Sequence, residues 1–147
     1  MKMKFSTKGR YGVRLMMDLA EHYGQGAISL KDISRRQEIS EKYLWQLINP
    51  LKNAGLISST RGSLGGYTLA ELPSRITLKD ILLVVEGPLS LVDCTKKPAL
   101  CHRSNNCVAR HVWSELADKL SETLGAFTLE HMIEKQDRMR QVVSNNI

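Results

Sequence analysis

The chain has 147 residues, of which 42% are hydrophobic and 24% charged, an ordinary globular composition. That length suffices for one or two small domains with a hydrophobic core. The longest apolar run, residues 81–85, is far too short to span a membrane, and the N-terminus lacks the apolar stretch of a secretion signal. We therefore expect a cytoplasmic protein without a membrane partner.

Positive charge is concentrated in the first half of the chain. Residues 1–73 contain 11 basic and 6 acidic residues, whereas residues 74–147 contain 10 and 9. A basic half indicates a polyanionic partner, most often nucleic acid. Alone this is a weak indication, because many soluble proteins carry a modest positive excess.

Two helices are predicted at the start of the chain. Residues 7–23 form the first, which Ser6 or Thr7 caps and Gly24 stops. A capping-box pattern, SLKD, begins a second, short helix that turns Ile33 inward. The apolar stripe of the first helix consists of Val13, Met16, Met17 and Ala20.

A third helix is predicted between Ser40, its cap, and Gly55, its stop. Pro50 lies inside this helix and is expected to remove a hydrogen bond and bend the last turn. The predicted buried face consists of Leu44, Leu47, Ile48 and Leu51. The predicted solvent face consists of Lys42, Trp45, Gln46 and Asn49.

After Gly55 the apolar pattern changes from helical to alternating. Residues 56–60 and 67–69 predict two short strands around the glycine-rich turn RGSLGG. Two helices joined by a short turn and followed by such a hairpin are typical of a winged helix-turn-helix. We therefore expect a mainly α fold with a small β-hairpin wing, followed by a long C-terminal dimerisation helix.

The second half predicts further helices around one long loop. A second capping box, TLKD, begins a helix that ends at Gly87. Residues 88–106 are expected to form an irregular loop, followed by a long helix to Gly125 and a last helix over residues 129–141. The long helix presents an apolar stripe to a partner subunit: Val108, Val112, Leu116, Leu120 and Leu124.

Three features of the first half are typical of DNA contact. An exposed Trp45 beside a lysine and a glutamine is unusual for an inert solvated face, and these polar side chains can read base edges. The wing glycines allow close approach to phosphates, although a hairpin turn also requires glycine. Hydroxyls and cations at the first helix N-terminus favour a phosphate. The candidate DNA-binding residues are Ser6, Thr7, Lys8, Arg10, Ser40, Lys42, Tyr43, Trp45, Gln46, Arg61, Gly62, Ser63 and Gly65.

All three cysteines lie in one polar segment with the spacing C-x6-C-x5-C: Cys94, Cys101 and Cys107. An odd, clustered set of thiols in a reducing compartment indicates a metal or redox site rather than disulfides. The polar, proline-containing surroundings argue against three buried apolar thiols. Three soft ligands fit zinc or an iron–sulfur cluster, and the spacing alone does not choose between them.

An enzyme with a cysteine nucleophile is a further interpretation of this segment, because His102 and His111 lie near the thiols. Such an enzyme also needs an oxyanion site and a substrate cleft. No pattern in the sequence supplies them, so we do not predict an enzyme.

The segments STKGRYGVRLMMDLA, ISEKYLWQL and STRGSLGGYTLA, with the cysteine loop and the VWSEL after it, resemble the iron–sulfur-cluster-responsive winged-helix regulators. This family includes IscR, NsrR, RirA and CymR, and the resemblance is greatest to IscR. It covers about residues 3–135. The resemblance implies a homodimer joined through the long helix, with two winged helices reading a palindromic operator in double-stranded DNA.

The resemblance also implies a [2Fe–2S] cluster held by Cys94, Cys101 and Cys107. Its usual fourth ligand is a histidine three residues after the third cysteine, where this chain has Arg110. His111 follows on the same helix face and is our candidate fourth ligand, with His102 as the second candidate.

A further departure from the family lies in the third helix, where IscR-like sequences often carry a glutamate and this chain has Trp45. In the family that carboxylate helps to discriminate among operators according to cluster state. Repulsion between a carboxylate and DNA cannot act through tryptophan. Cluster-gated operator choice therefore need not carry over.

The sequence thus predicts a DNA-binding domain at residues 1–87, a cluster-binding loop at 88–106 and dimerisation helices at 107–147. We expect a transcriptional regulator, acting as a repressor, whose operator affinity depends on a labile cluster. Its targets would be genes of cluster biogenesis or of iron and redox metabolism, with cluster-assembly proteins as candidate partners. The alternative is a cluster-free, CymR-like repressor of cysteine or sulfur metabolism, controlled by a protein partner or by thiol oxidation.

Overall fold

The computed structural model describes residues 4–97, 99 and 102–146, without the side chains of residues 94, 96 and 104. The first half contains helices α1 (Thr7–Glu21), α2 (Leu30–Gln37) and α3 (Glu41–Asn53) and strands β1 (Ile57–Thr60) and β2 (Gly66–Leu69). The second half contains α4 (Leu78–Val85), the short α5 (Asp93–Lys96), α6 (Val108–Ala126) and α7 (Leu129–Asn145). The predicted mainly α fold with a β-hairpin wing is confirmed. Within the described ranges, no helix is long and apolar enough to cross a membrane.

One hydrophobic core extends through both halves of the chain. Helix α1 packs against α2, α3, α4, α7 and β2, so a wide part of its circumference is buried. Leu15, Met16 and Leu19 are therefore inaccessible, whereas Val13 and Met17, which the predicted stripe included, are half-buried. Leu129, at the start of α7, belongs to the same core. The C-terminal helix thus packs directly onto the predicted DNA-binding domain.

Local capping signals place most helix starts correctly. Ser29 Oγ accepts a hydrogen bond from Asp32 N at 3.1 Å, and α2 begins at the next residue. At α4, Thr77 Oγ1 accepts from Asp80 N at 3.1 Å while Thr77 N donates to the Asp80 carboxylate at 2.9 Å. The predicted buried face of α3 is confirmed, and α3 continues past Pro50 to Asn53.

The second half differs from the prediction in three places. The expected irregular loop contains α5 and a 3₁₀ turn, Ser104–Asn106. Helix α6 continues through Gly125 to Ala126, and α7 continues to Asn145 rather than ending near residue 141. Helix α6 ends where the backbone becomes extended, because Leu78 N donates to Phe127 O and Leu129 N donates to Ile76 O, at 2.8 and 2.9 Å. Long-range pairing, not glycine, ends this helix.

A buried carboxylate joins α1 to α2. Asp18 is 1% exposed, and both of its oxygens accept hydrogen bonds from the Arg36 guanidinium, at 2.7 and 3.0 Å. Gln37 Nε2 donates to the same carboxylate at 2.9 Å. The hydrogen bonds that Arg36 donates to Asp18 raise the pKa of Arg36 above its ordinary value. These contacts fix the helix-turn-helix on α1.

A second ion pair holds α7 against α1. Arg140 donates to the Glu21 carboxylate, and Gln136 Nε2 donates to it at 3.3 Å. The hydrogen bond from Arg140 is the main reason that the pKa of Glu21 is lowered from its ordinary value. Arg140 lies about three turns beyond the core residue Leu129, so this pair helps to explain why α7 continues to Asn145.

We expect Asp18→Asn to lower the free energy of unfolding by about 1–3 kcal/mol, because one hydrogen-bond acceptor becomes a donor facing Arg36 and Gln37. Urea denaturation measures this loss. Asp32→Asn is the matched control, since Asp32 pairs with Arg35 at an exposed position of α2 and should cost less than about 1 kcal/mol. Equal losses in the two variants would contradict a structural role for the buried network.

The Glu21 pair should make stability depend on pH. Because folding lowers the pKa of Glu21, the pair contributes stability above the ordinary glutamate pKa, and this contribution is lost as pH falls through the lower folded-state pKa. Wild type should therefore melt above Glu21→Gln at neutral pH, and the difference should shrink in acid. Thermal melts from about pH 7 to about pH 3 measure this. Glu134→Gln, an exposed α7 variant, is the control for loss of one carboxylate. A difference for Glu21→Gln that does not change with pH would refute the assignment.

Candidate functional site

The predicted solvent face of α3 is exposed in the structure. Lys42, Trp45, Gln46 and Asn49 are all exposed, and the Trp45 side chain is 51% accessible. Their spacing places them on one side of the helix, opposite the buried leucines. Ser40 Oγ accepts a hydrogen bond from Tyr43 N at 3.2 Å and so serves as the N-cap of α3. The helix therefore presents a rigid polar and aromatic surface to solvent.

The wing projects beside this surface. Strands β1 and β2 are antiparallel, with Ile57 opposite Leu69 and Thr60 opposite Gly66. Gly62 adopts a φ of +111°, which favours glycine, and its carbonyl accepts from Gly65 N at 3.0 Å. The predicted tip residues Arg61, Gly62 and Ser63 are exposed.

The wing tip also carries Leu64, which is not among the predicted DNA-binding residues and which is 90% exposed. Apolar side chains at such positions can enter the minor groove. Exposure could not be inferred from the sequence, because the same leucine would fit a buried turn.

The base of the wing is fixed to the segment before α2. Ile28 N donates to Tyr67 O at 2.9 Å, and Tyr67 N donates to Ile28 O at 2.8 Å. A Cβ at Gly66 would overlap the Ile28 carbonyl, so glycine is needed for this approach. The wing is thereby held at a defined position relative to the helix-turn-helix.

A groove of about 380 Å³ separates α3 from the wing. Trp45 lies on the α3 side and Arg61 on the wing side. Asn49 and Lys52, which follow Trp45 at helical spacing, also line the groove but were not among the candidate DNA-binding residues. The groove combines two cations with an aromatic ring, a combination that suits a sugar–phosphate backbone.

Two aromatic side chains bring the N-terminal part of α1 into contact with the start of α3. The rings of Tyr11 and Tyr43 meet edge to face, with centroids 5.6 Å apart. The guanidinium groups of Arg10 and Arg14 lie 6.0 and 5.3 Å from the Tyr11 centroid. Tyr43 is thus half-buried by packing, whereas Arg10 remains exposed.

The predicted phosphate position at the α1 N-terminus contains a carboxylate of the chain itself. Ser6 N and Ser6 Oγ both donate to Glu86 Oε1 at 2.6 Å, and Gly9 N donates to it at 3.1 Å. Thr7, Lys8 and Arg10 remain exposed around this contact. Glu86 was not predicted as part of the site because it lies 80 residues from Ser6 along the chain.

The cysteine segment is described only in part. Cys107 is a half-buried free thiol immediately before α6. His111 is exposed one turn later, and its backbone N donates to Cys107 O at 3.4 Å. His102 is exposed in a turn. The side chain of Cys94 and the whole of Cys101 lie outside the described residues. Among the residues that are described, no three His, Cys, Asp or Glu side chains come close enough to hold a metal ion.

The backbone around Cys94 has defined local structure. Helix α5, which includes Cys94, packs against α6. Thr95 Oγ1 donates to Val92 O at 2.7 Å, and the Ser90 and Thr95 hydroxyls are 2.7 Å apart. The segments that carry Cys94 and Cys107 therefore lie on neighbouring helices.

Helix α6 leaves an apolar strip in solvent. The strip consists of residues whose side chains are 40–76% exposed: Val108, Val112, Trp113 and Leu116. Leu124, at the other end of the predicted stripe, is buried. Residues 108–116 are thus the part of α6 that has an unburied apolar face.

Comparison with known proteins identifies the family. The model for Rrf2, described as an iron-dependent transcriptional regulator, matches residues 5–135. The HTH-type transcriptional regulator CymR of Bacillus subtilis is 43% identical over 137 residues, covering 92% of this chain and 93% of the relative. The solved structure of CymR, the global cysteine regulator of B. subtilis, has a TM-score of 0.77 at 41% identity and covers 91% of this chain and 98% of its own. That of T. potens IscR has a TM-score of 0.75 at 42% identity, with coverages of 91% and 88%.

These similarities extend over the winged helix and the helices after it, and they include regulators named CymR and IscR. The relatives are named as regulators, which confirms the interpretation that the chain is not an enzyme. The chain belongs to the Rrf2 family of transcriptional regulators.

Proposed function

We propose that this protein is a dimeric, DNA-binding repressor whose affinity for a palindromic operator is set by an iron–sulfur cluster on Cys94, Cys101 and Cys107. The observation that carries the proposal is the placement of the cysteine segment. It lies between α4, which packs on the DNA-binding helices, and α6, which has the exposed apolar strip. A change at the thiols can therefore act on both surfaces.

The DNA-binding half of the proposal rests on the α3 face, the wing and the groove between them. Within residues 1–87, Gln46 and Lys42 would enter the major groove, while Arg61 and the wing amides would contact the backbone. Trp45 adds an apolar contact to a sugar or a thymine methyl group. It also removes the carboxylate found in many IscR-like sequences, so electrostatic repulsion plays no part at this position.

The dimer would form through residues 107–147, with the strip on α6 packed against its counterpart in a second copy. An exposed apolar face of this kind usually marks a protein interface. Two-fold symmetry of the protein would then match a palindromic operator.

The donor set fits an iron–sulfur cluster, since cysteine thiolates are its usual ligands and most of the described residues between them are polar and exposed. His111, one turn into α6 from Cys107, is the proposed fourth ligand, with His102 as the alternative. When bound, the cluster would supply a redox-sensitive crosslink between the segments that carry these residues. The chain itself would hold the thiols, orient α6 and position the recognition helices.

Similarity to CymR supports a second candidate, a cluster-free repressor of cysteine or sulfur metabolism. In that case the thiols would respond to oxidation or hold zinc, or a protein partner would control DNA binding. Among the solved structures, the identities of 41% to CymR of B. subtilis and 42% to T. potens IscR do not separate the two candidates. The cysteine triplet is what favours the cluster.

The proposed recognition surface predicts two different DNA phenotypes. Arg61→Ala should weaken binding to all sequences alike and reduce the slope of log K against log salt by about 1, because one phosphate contact is lost. Gln46→Ala should instead reduce discrimination between bases, by about 1–3 kcal/mol at the contacted pair. Fluorescence anisotropy with operator and scrambled DNA at several salt concentrations measures both.

Arg138→Ala, an exposed arginine of α7, is the matched control for loss of charge and should leave discrimination unchanged. If Gln46→Ala weakened operator and scrambled DNA equally, α3 would not be the recognition helix.

Protein purified without oxygen should show sulfide-to-iron charge-transfer bands in its visible spectrum, together with bound iron and acid-labile sulfide. Cys101→Ala should lose the bands, because two thiolates cannot retain the cluster. Asn105→Ala, a change in the same segment, should keep them. If His111 is the fourth ligand, His111→Ala should shift or weaken the bands. If His102 is the fourth ligand instead, His102→Ala should shift or weaken them.

A colourless protein that also fails anaerobic reconstitution with iron and sulfide would refute the cluster. The CymR-like candidate would then account for the cysteines.

A further inference from the structure

Glu86, two residues before the predicted cluster-binding loop at 88–106, is hydrogen-bonded to the first turn of α1. Its Oε1 atom accepts from Ser6 N and Ser6 Oγ at 2.6 Å and from Gly9 N at 3.1 Å. The free amides at a helix N-terminus carry partial positive charge, so a carboxylate is a favourable acceptor there. The end of α4 and the beginning of α1 are thus joined by a charge-assisted contact.

Two glycines on α1 make room for this contact. A Cβ at Gly9 would overlap the Glu86 carboxylate, and a Cβ at Gly12 would lie 3.3 Å from Val85 Cγ1. Residues three apart share one helix face, so Gly9 and Gly12 form a flat surface against the last turn of α4. The Glu86 contact therefore depends on the close packing of the two helices as well as on the hydrogen bonds.

Helix α4 is connected to the cysteine segment in two ways. It packs against α6, which begins directly after Cys107. Its C-cap residue Glu86 is separated from Pro88, where the predicted loop begins, only by Gly87, whose φ is +89°. A movement at the start of this loop therefore needs to cross only one residue to reach Glu86.

The other side of the contact carries the predicted phosphate-binding residues. Ser6 is the N-cap of α1, and exposed Thr7, Lys8 and Arg10 follow it in the first turn. Ser6 Oγ accepts from Gly9 N at 3.4 Å, whereas Glu86 Oε1 accepts from Gly9 N at 3.1 Å and from Ser6 N at 2.6 Å, so loss of Glu86 would leave this turn with the weaker of its two caps. Glu86 therefore helps to hold these side chains in one arrangement.

We propose that Glu86 is the positioning residue that couples the state of the cysteine segment to the DNA-binding end of α1. The inference rests on the proposed cysteine-dependent control of DNA binding and names its route. When the cysteine segment rearranges, Glu86 withdraws from Ser6 and Gly9, the first turn of α1 loosens, and its phosphate contacts weaken. Glu86 itself does not contact DNA.

The test compares operator dissociation constants for cluster-loaded protein and for protein stripped with an iron chelator. The ratio of the two constants measures coupling. We expect Glu86→Ala and Gly9→Ala each to bring this ratio below about 2-fold. Glu86→Ala removes the carboxylate, whereas Gly9→Ala displaces the carboxylate but retains its charge. Glu86→Gln keeps the shape and one acceptor oxygen, should fold normally, and should give an intermediate ratio.

Glu134→Ala, an exposed α7 variant, is the control for loss of one negative charge. It should change both dissociation constants by the same factor and leave their ratio at the wild-type value. Hydrogen exchange of the peptide spanning residues 4–12, followed by mass spectrometry, gives a second readout. Exchange should differ between loaded and stripped wild type and should be equally fast in both forms of Glu86→Ala.

A wild-type ratio near one would overturn the proposed cysteine control and this inference with it. A large wild-type ratio that persists in Glu86→Ala and Gly9→Ala would overturn only the inference. N-terminal exchange in wild type that does not respond to cluster removal would likewise overturn the inference alone.

Discussion

The structure depends on α1 as the element against which the other helices are placed, and on one buried carboxylate within it. Asp18 is the only charged side chain among the fully buried residues of the described chain, and its ion pair with Arg36 sets α2 against α1. Helix α3 in turn packs on α2 and α1, so the direction of the recognition face follows from this contact. A buried charge satisfied by one geometry favours a single orientation of the helix-turn-helix.

The first half of the fold was largely predictable because its signals are local. Ser29 and Ser40 cap the helices that follow them, apolar spacing identifies the buried face of α3, and glycine marks the wing turn. The second half was predicted less well because long-range contacts decide it. Gly125 indicates a helix end, yet the pairing of residues 76–78 with residues 127–129 sets the end of α6.

The same distinction applies to the candidate site. The α3 face and the wing tip were predicted from residue types and spacing, and Cys107 with His111 were predicted from the family resemblance. Glu86 and Lys52 were not predicted, and Asn49 was predicted only as exposed, since their positions come from the contact of α1 with α4 and of α3 with the wing. The residue pattern of a single helix does not indicate which other elements that helix will contact. The cysteine segment lies between the DNA-binding half of the chain and α6. Whether its thiols hold a cluster distinguishes the IscR-like from the CymR-like candidate.

The chain contains two tryptophans, and each lies on a different proposed interface. Trp45 borders the groove beside the wing, whereas Trp113 belongs to the apolar strip of α6, and both indoles are substantially exposed to water. Indole emission shifts to shorter wavelength when the ring leaves water. Replacing either ring by phenylalanine would leave the other as an intrinsic fluorophore. The protein therefore carries two separate candidate optical reporters, Trp45 for the proposed operator contact and Trp113 for the proposed subunit association.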